Sequence, residues 1–334
     1  MHIVDLPVLD NPSDFAYAAS SLAILEKDLL SQSQFDQLRA ADGFKDFLRL
    51  LQDTGYASYV EDSQDIKAMV EEEAMKTRQE LFNILPPEIL PFFDIFFRKY
   101  DYNNLKILLK SRYMNVPAPT GELTRLGVIP VEELVNLFEE GSLEDLPFSV
   151  DFDELDSMMR RGKDLQIIDS LLDRAYYREL LASAQELGDS FFLDFVRQQA
   201  DLKNIIIFIR CRKTRVSLPG FLLDGGYIDP DVFEKFSGEG TEALATSPVF
   251  ADYRQVISQG IAVLEKTGSY SDLETLVRNY LILLLRESRH YIFTIRPFIG
   301  YLLGKEHEQA LLKKYYVYVK NHLEFGGERD IAYV

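Results

Sequence analysis

Apolar residues along this chain recur mostly at three- and four-residue intervals, the period of a helix with one buried face. SSLAILEKDLL places Leu22, Leu25, Leu29 and Leu30 on one stripe and predicts a helix through Leu30. GFKDFLRLLQDTGY gathers Phe44, Phe47, Leu48 and Leu51 on one face, with Gly55 as the closing residue. SQDIKAMVEEEAMKTRQELFNIL and LQIIDSLLDRAYYRELLASAQELG each predict a long helix, the first stopped by Pro86-Pro87. SDLETLVRNYLILLLRESRHYIF opens with a predicted capping box, Ser271 with Glu274. Alternating strand patterns are nearly absent, so the expected class is all-α. NVPAPTGE and SLPGFLLDGGYIDP read as short loops between helices.

The helical pattern also repeats. DYNNLKILLKSR, from Asp101, and DLKNIIIFIRCR, from Asp201, share Asp, Asn, Ile and Arg at the same four places, one hundred residues apart. Upstream, Phe92 and Asp94 meet Phe192 and Asp194 at the same offset. Downstream, at an offset of ninety-nine, Ile129, Leu134, Leu137 and Gly141 meet Ile228, Phe233, Phe236 and Gly240. Each copy is thus a long spine helix followed by a short one that starts after Ile129 or Ile228, with Pro130 or Pro230 in its first turn. A third short unit lies earlier: Leu30, Phe35, Leu38, Phe44 and Phe47 fall opposite Ile129, Leu134, Leu137, Leu143 and Leu146, with Ser31 at the helix start. EQALLKKYYVYVK, from Glu308, serves as the third spine, with Leu311 at the Asn place and Lys313 at the place of Lys106.

Near-constant spacing of three copies points to an internal triplication. Its expected units are roughly 15–115, 116–215 and 216–334. The chain starts with a short unit and finishes with a spine. The N-terminal short unit is therefore expected to pack on the C-terminal spine, closing a pseudo-threefold ring.

Composition narrows the function. The net charge is −18, from 54 acidic and 36 basic residues, which disfavours nucleic acid and anionic lipid as general partners. One cysteine, Cys211, excludes an intramolecular disulfide and a thiolate metal cluster and suits a reducing cytosol. MHIVDLPVLDNPSDF lacks the basic and apolar regions of a signal peptide, and YLILLL, the most apolar run, is far shorter than a bilayer span of about 20 residues. The chain reads as cytoplasmic, reaching a membrane only through a partner.

Catalytic signatures are missing: no P-loop, no G-x-G-x-x-G after a strand, no H-E-x-x-H and no G-x-S-x-G. No catalytic residue, cofactor site or metal site is assigned. KEHE, Lys305 to Glu308, sets His307 between two acids; a solvated helix turn is the simpler reading, a raised pKa or a cation site the sharper one. DFDELD, Asp151 to Asp156, lacks the glycine and terminal glutamate of a calcium loop and suits the first turn of a helix. RCRKTR concentrates Arg210, Arg212, Lys213 and Arg215, either as a docking patch for an acidic partner or a lipid headgroup or as cations complementing a helix C-terminus. Asp101, Asn104, Asp201 and Asn204 lie at i and i+3 on their helices. They read as buried groups that bind neighbouring loop backbone and fix the packing of each repeat, with a polar clamp on a ligand as the other reading.

At these residues the chain resembles a known family, the C subunit of the bacterial and archaeal V-type ATPase/synthase, called the d subunit in the eukaryotic proton pump. The resemblance rests on the two spine motifs, on LLSQSQFDQLRAADGFKDFLRLLQDTGY and on PFIGYLLGKEHEQ, whose Glu306 and Glu308 match the family's Glu-x-Glu pair. It covers nearly the whole chain. Two departures are Leu311, where the family usually follows with Asn and a basic residue, and the end YYVYVKNHLEFGGERDIAYV. The resemblance implies three similar helical domains in a funnel-shaped arrangement and no chemistry of their own. It implies a central-stalk rotor component, a socket between the central-shaft subunits and the membrane rotor ring, peripheral to the membrane through that ring. Two alternatives are an all-α diphosphate-binding enzyme, which the absence of a D-D-x-x-D motif disfavours, and a helical-repeat scaffold unrelated to a rotary ATPase.

Overall fold

The computed structural model describes residues 12–62, 65–140, 146–162, 165–214, 218, 220–291, 294–325 and 328–334. Of the sequence features above, most of the N-terminal MHIVDLPVLDNPSDF segment and Gly141, Leu143 and Arg215 lie outside these residues. Among the described residues there are fifteen α-helices and no strand. They are α1 (Pro12–Leu25), α2 (Gln32–Arg39), α3 (Phe44–Leu51), α4 (Ala57–Asp62), α5 (Ile66–Ile84), α6 (Leu90–Met114), α7 (Val131–Glu140) and α8 (Phe152–Gly162). There follow α9 (Gln166–Leu187), α10 (Ser190–Thr214), α11 (Pro230–Lys235), α12 (Glu242–Thr246), α13 (Arg254–Thr267), α14 (Tyr270–Glu287) and α15 (Arg296–Lys320). The chain divides into two compact units, one of Met1–Leu90 with Arg254–Val334, the other Pro91–Tyr253.

Local chemistry sets the helix ends. Ser31 and Gln34 form a reciprocal capping box on α2. Gly188, at φ +70°, ends α9 in the left-handed conformation, and the Asp189 carboxylate then accepts from Phe192 N–H in the first turn of α10. Leu85, extended ahead of Pro86, stops α5. Asp151 accepts from Glu154 N–H, so the DFDELD acids start α8.

Three expectations change. The helix through Leu30 stops at Leu25; a 3-10 turn follows at Glu26–Asp28, and Leu29 is extended. Ser31 as an N-cap requires β-region backbone, which breaks the stripe. Gly55 does not close α3: Gln52 is the C-cap, and Gly55 is not among the glycines at positive φ. The capping box at Ser271 is absent, because Ser269 takes the N-cap and accepts from Ser271 N–H.

In the second unit, Leu105, Leu108 and Leu109 of α6 share a core with Leu134 and Phe138 of α7, Leu155 and Met159 of α8, and Ile168 and Leu172 of α9. Farther along, Ile205, Phe208 and Ile209 of α10 are buried, and Phe208, Phe233 and Phe250 make a run of ring contacts. On the aromatic face of α6, Phe93 is fully buried and Phe92 only partly; Phe93 contacts Phe96, which meets the Phe192 ring 5.2 Å away. In the first unit, one core holds Phe35 and Leu38 of α2, Phe47 and Leu51 of α3, Ile66 and Val70 of α5, and Leu311, Leu312 and Tyr315 of α15. Each such side chain contributes about 1.5–3 kcal/mol on burial, so α2 and α15 are held together by apolar packing despite their sequence separation.

Candidate functional site

The helices α6, α10 and α15 are each 25 residues long. On α6, Asp101 Oδ2 and Oδ1 accept from the backbone N–H groups of Val128 and Ile129, both at 3.1 Å. One turn on, Asn104 Oδ1 accepts from Thr124 N–H at 2.9 Å and its Nδ2 donates to Thr124 O at 2.8 Å. On α10, Asp201 accepts from Tyr227 N–H at 3.1 Å and Ile228 N–H at 3.0 Å. Asn204 accepts from Leu223 N–H at 2.7 Å and donates to Leu223 O at 2.8 Å. All four side chains are fully buried. Each pair therefore holds the loop that leads into the following short helix, satisfying main-chain groups that burial would otherwise leave unpaired.

Glycine lets the loop come this close. A Cβ at Gly127 would sit 1.9 Å from Asp101 Oδ1, and one at Gly226 would sit 2.0 Å from Asp201 Oδ1. Burial pushes the Asp201 carboxyl upward in pKa, opposed by the N–H donors of Ile228 and Tyr227 and by the Tyr253 hydroxyl at 2.8 Å.

On α15, Glu308 Oε2 accepts from Leu30 N–H at 2.6 Å, and Oε1 accepts from the Tyr56 hydroxyl at 2.8 Å and from Lys305 Nζ at 2.7 Å. Lys305 also pairs with Glu73 at 3.0 Å, and all three charged groups are buried. Burial pulls the Lys305 pKa down, but the carboxylates of Glu308 and Glu73 outweigh it and hold the ammonium above its usual range. Leu29 N–H is taken by Glu26 O in the 3-10 turn, so this third carboxylate receives one backbone donor where Asp101 and Asp201 receive two. At the Asn place Leu311 is fully buried in the apolar core.

KEHE is therefore not a solvated turn. Lys305, His307 and Glu308 are all buried. The His307 pKa is lowered, to about 4, because burial disfavours the imidazolium; Nε2 bonds to Ile331 O at 2.7 Å. The raised pKa of the sharper reading is overturned by desolvation as well. Among the described residues no group of three or more His, Cys, Asp or Glu side chains could hold a metal ion.

Arg210, Arg212 and Lys213 are exposed near the end of α10. Arg212 donates to Ser237 O and, at 2.7 Å, to Glu239 O. Its repeat partner Arg112 donates to Phe138 O at 2.6 Å and lies over the Phe138 ring. Both arginines thus bind carbonyls just past the middle or end of the short helix that follows their own spine. Sequence reasoning missed Tyr56, Tyr253, Glu73 and Lys305. The two tyrosines did carry a signal, since Tyr56 follows Leu30 by 26 residues and Tyr253 follows Ile228 by 25.

A family model described as ATP synthase (C/AC39) subunit matches residues 20–313. The chain belongs to that family. It is similar to the C subunit of the A-type ATP synthase of Desulfurococcus sp. (strain SY), 24% identical over 340 residues, covering 95% of this chain and 90% of the relative. The corresponding A-type ATP synthase C subunits of Pyrococcus furiosus and Methanocaldococcus jannaschii are each 23% identical, over 90% of this chain and 85% and 81% of their own lengths. As a member of this family the chain is a non-catalytic stalk component of a rotary ATPase. No helix among the described residues is long and apolar enough to cross a membrane.

Proposed function

We propose that this C/AC39 family member is the socket of the central stalk, joining the central-shaft subunits to the membrane rotor ring and passing torque between them. In this reading the chain is a triplication with units near 15–115, 116–215 and 216–334, arranged as a three-domain funnel with the N-terminal short unit on the C-terminal spine. It sits on the cytoplasmic side, peripheral to the membrane through the ring. The observation that carries the reading is the same carboxylate-to-loop anchor on three 25-residue helices of a stalk-subunit family member. A torque-bearing part needs joints that do not creep, and buried charge-assisted hydrogen bonds with fixed geometry supply them. Asp101, Asn104, Asp201 and Asn204 are the joint residues, and Arg210, Lys213 and Arg215 form a basic docking patch, shared with Arg212.

Affinity purification of the tagged chain from its own cells tests this. Shaft and ring subunits should co-elute, and their absence under conditions that retain the chain's fold would overturn it. Charge reversal of Arg210 and Lys213 should weaken shaft or ring binding at low salt; unchanged affinity removes the patch from the proposal.

A further inference from the structure

The 328–334 segment has no helix or strand, yet Asp330, Ala332 and Tyr333 are almost completely buried within the first unit. Side chains read its backbone. Asn279 of α14 donates to Arg329 O at 2.8 Å and accepts from Ile331 N–H at 3.0 Å. Gln32 of α2 donates to Asp330 O at 3.0 Å and accepts from Ala332 N–H at 2.9 Å. Each amide thus spans two main-chain groups of an extended peptide, from opposite elements and one residue out of step. Arg286 donates to Tyr333 O at 3.2 Å and to Ala332 O.

Two side chains of the segment have dedicated sites. The Asp330 carboxylate accepts from Lys314 Nζ at 3.0 Å and from the Tyr315 hydroxyl at 3.1 Å. The Tyr333 ring lies on α15 where a Cβ at Gly304 would come within 2.5 Å of it. Its hydroxyl is 3.4 Å from Ser288 Oγ, and Gly300 leaves room for both.

We infer that α2, α14 and α15 form a peptide-binding groove selective for an extended Asp-x-Ala-Tyr sequence, filled in cis by residues 328–334 as a detachable strap. The reason for a strap lies in chain order. Short helices α7 and α11 follow their spines directly along the chain, at Val131 after Met114 and at Pro230 after Thr214. Helix α2, at Gln32–Arg39, precedes its partner α15 by more than two hundred residues. The strap touches both, through Gln32 on one and Lys314 on the other, and Arg329 adds an ion pair to Asp36 of α2. Main-chain pairing supplies affinity and the Asp and Tyr pockets supply selectivity, as in other extended-peptide sites. The inference rests on the geometry of this unit and not on the rotor role.

The test uses the full-length chain carrying Asp330→Ala and a fluorescein-labelled peptide of residues 328–334 with the natural sequence. Saturable one-to-one binding is expected, at least about tenfold tighter than to the unaltered chain, whose groove is already occupied at high effective concentration. No binding to the variant, or equal binding to both, overturns the inference. Should the variant fail to fold, native-state hydrogen exchange on the unaltered chain decides. The amides of Ile331 and Ala332 should then share an opening that leaves Leu30, Leu311, Leu312 and Tyr315 protected. Exchange of all six only on global unfolding would show that the segment is an inseparable part of the core.

Discussion

Glu308 accepts the backbone N–H of Leu30 at 2.6 Å across 278 positions of sequence. Asp101 does the same for Ile129 across 28, and Asp201 for Ile228 across 27. In all three cases the donor is an apolar residue at the entrance to a short helix, and the acceptor is a buried acid on a 25-residue helix. The longer side chain of Glu308 still reaches Leu30, with Asp28 rather than glycine two residues before it.

Removing an anchor should be costly. Glu308→Ala leaves Leu30 N–H and the Tyr56 hydroxyl without their acceptor and Lys305 with one carboxylate fewer. A loss of about 3–5 kcal/mol is expected, the range for breaking a buried charged network from one side. Glu308→Gln retains an acceptor and should lose less. Urea denaturation followed by circular dichroism reads both, and an Ala variant as stable as the natural chain would show that the anchor carries no load.

The glycines give a sharper contrast. Gly127→Ala and Gly226→Ala push a methyl against the anchoring carboxylate oxygens, at 1.9 and 2.0 Å before relaxation. Each should cost about 1–3 kcal/mol, as overpacked sites do. Gly121→Ala meets nothing within 4 Å and should stay within about 0.5 kcal/mol of the natural chain. Equal effects at the three positions in thermal melts would contradict the close approach.

Periodicity made the long helices readable because each buries one face, and the repeated Asp and Asn marked where α6 and α10 take hold of their loops. What periodicity could not show was how backbone polar groups are satisfied. Leu29 and Leu30 continue the stripe of α1, but Ser31 capping and the Glu308 bond require extended backbone there. KEHE looked solvated because charge usually stays at the surface; Lys305 and Glu308 are buried because they pair with each other and with Glu73 and Tyr56. The strap at 328–334 has no periodic pattern at all, since side chains from α2 and α14 hold its main chain.

His307 predicts an acid-sensitive step. Its folded pKa, about 4, lies below the ordinary histidine value of about 6.5, because burial outweighs the Ile331 carbonyl. Between those values the unfolded chain binds the proton and the folded chain does not, so stability from this group is complete above about pH 6.5. It falls as pH drops toward 4, by roughly 3 kcal/mol in all. Arg278 and Lys314 push the same way and Asp330 opposes them. His307→Gln should flatten the slope of unfolding free energy against pH in that window, and an unchanged slope would mean that the imidazole is already protonated in the fold.

Lys305 is the charge that makes the α15 anchor tolerable, lying 2.7 Å from Glu308 and 3.0 Å from Glu73. Lys305→Met strands two buried carboxylates, and a loss of about 3–5 kcal/mol at pH 7 is expected. Glu73→Gln in the Lys305→Met background removes one stranded charge directly and should recover part of the loss, with a coupling of about 1–3 kcal/mol in the double-mutant cycle. Additive effects would mean that the lysine acts by packing against Tyr56, 4.8 Å from its ring centre, and not by charge.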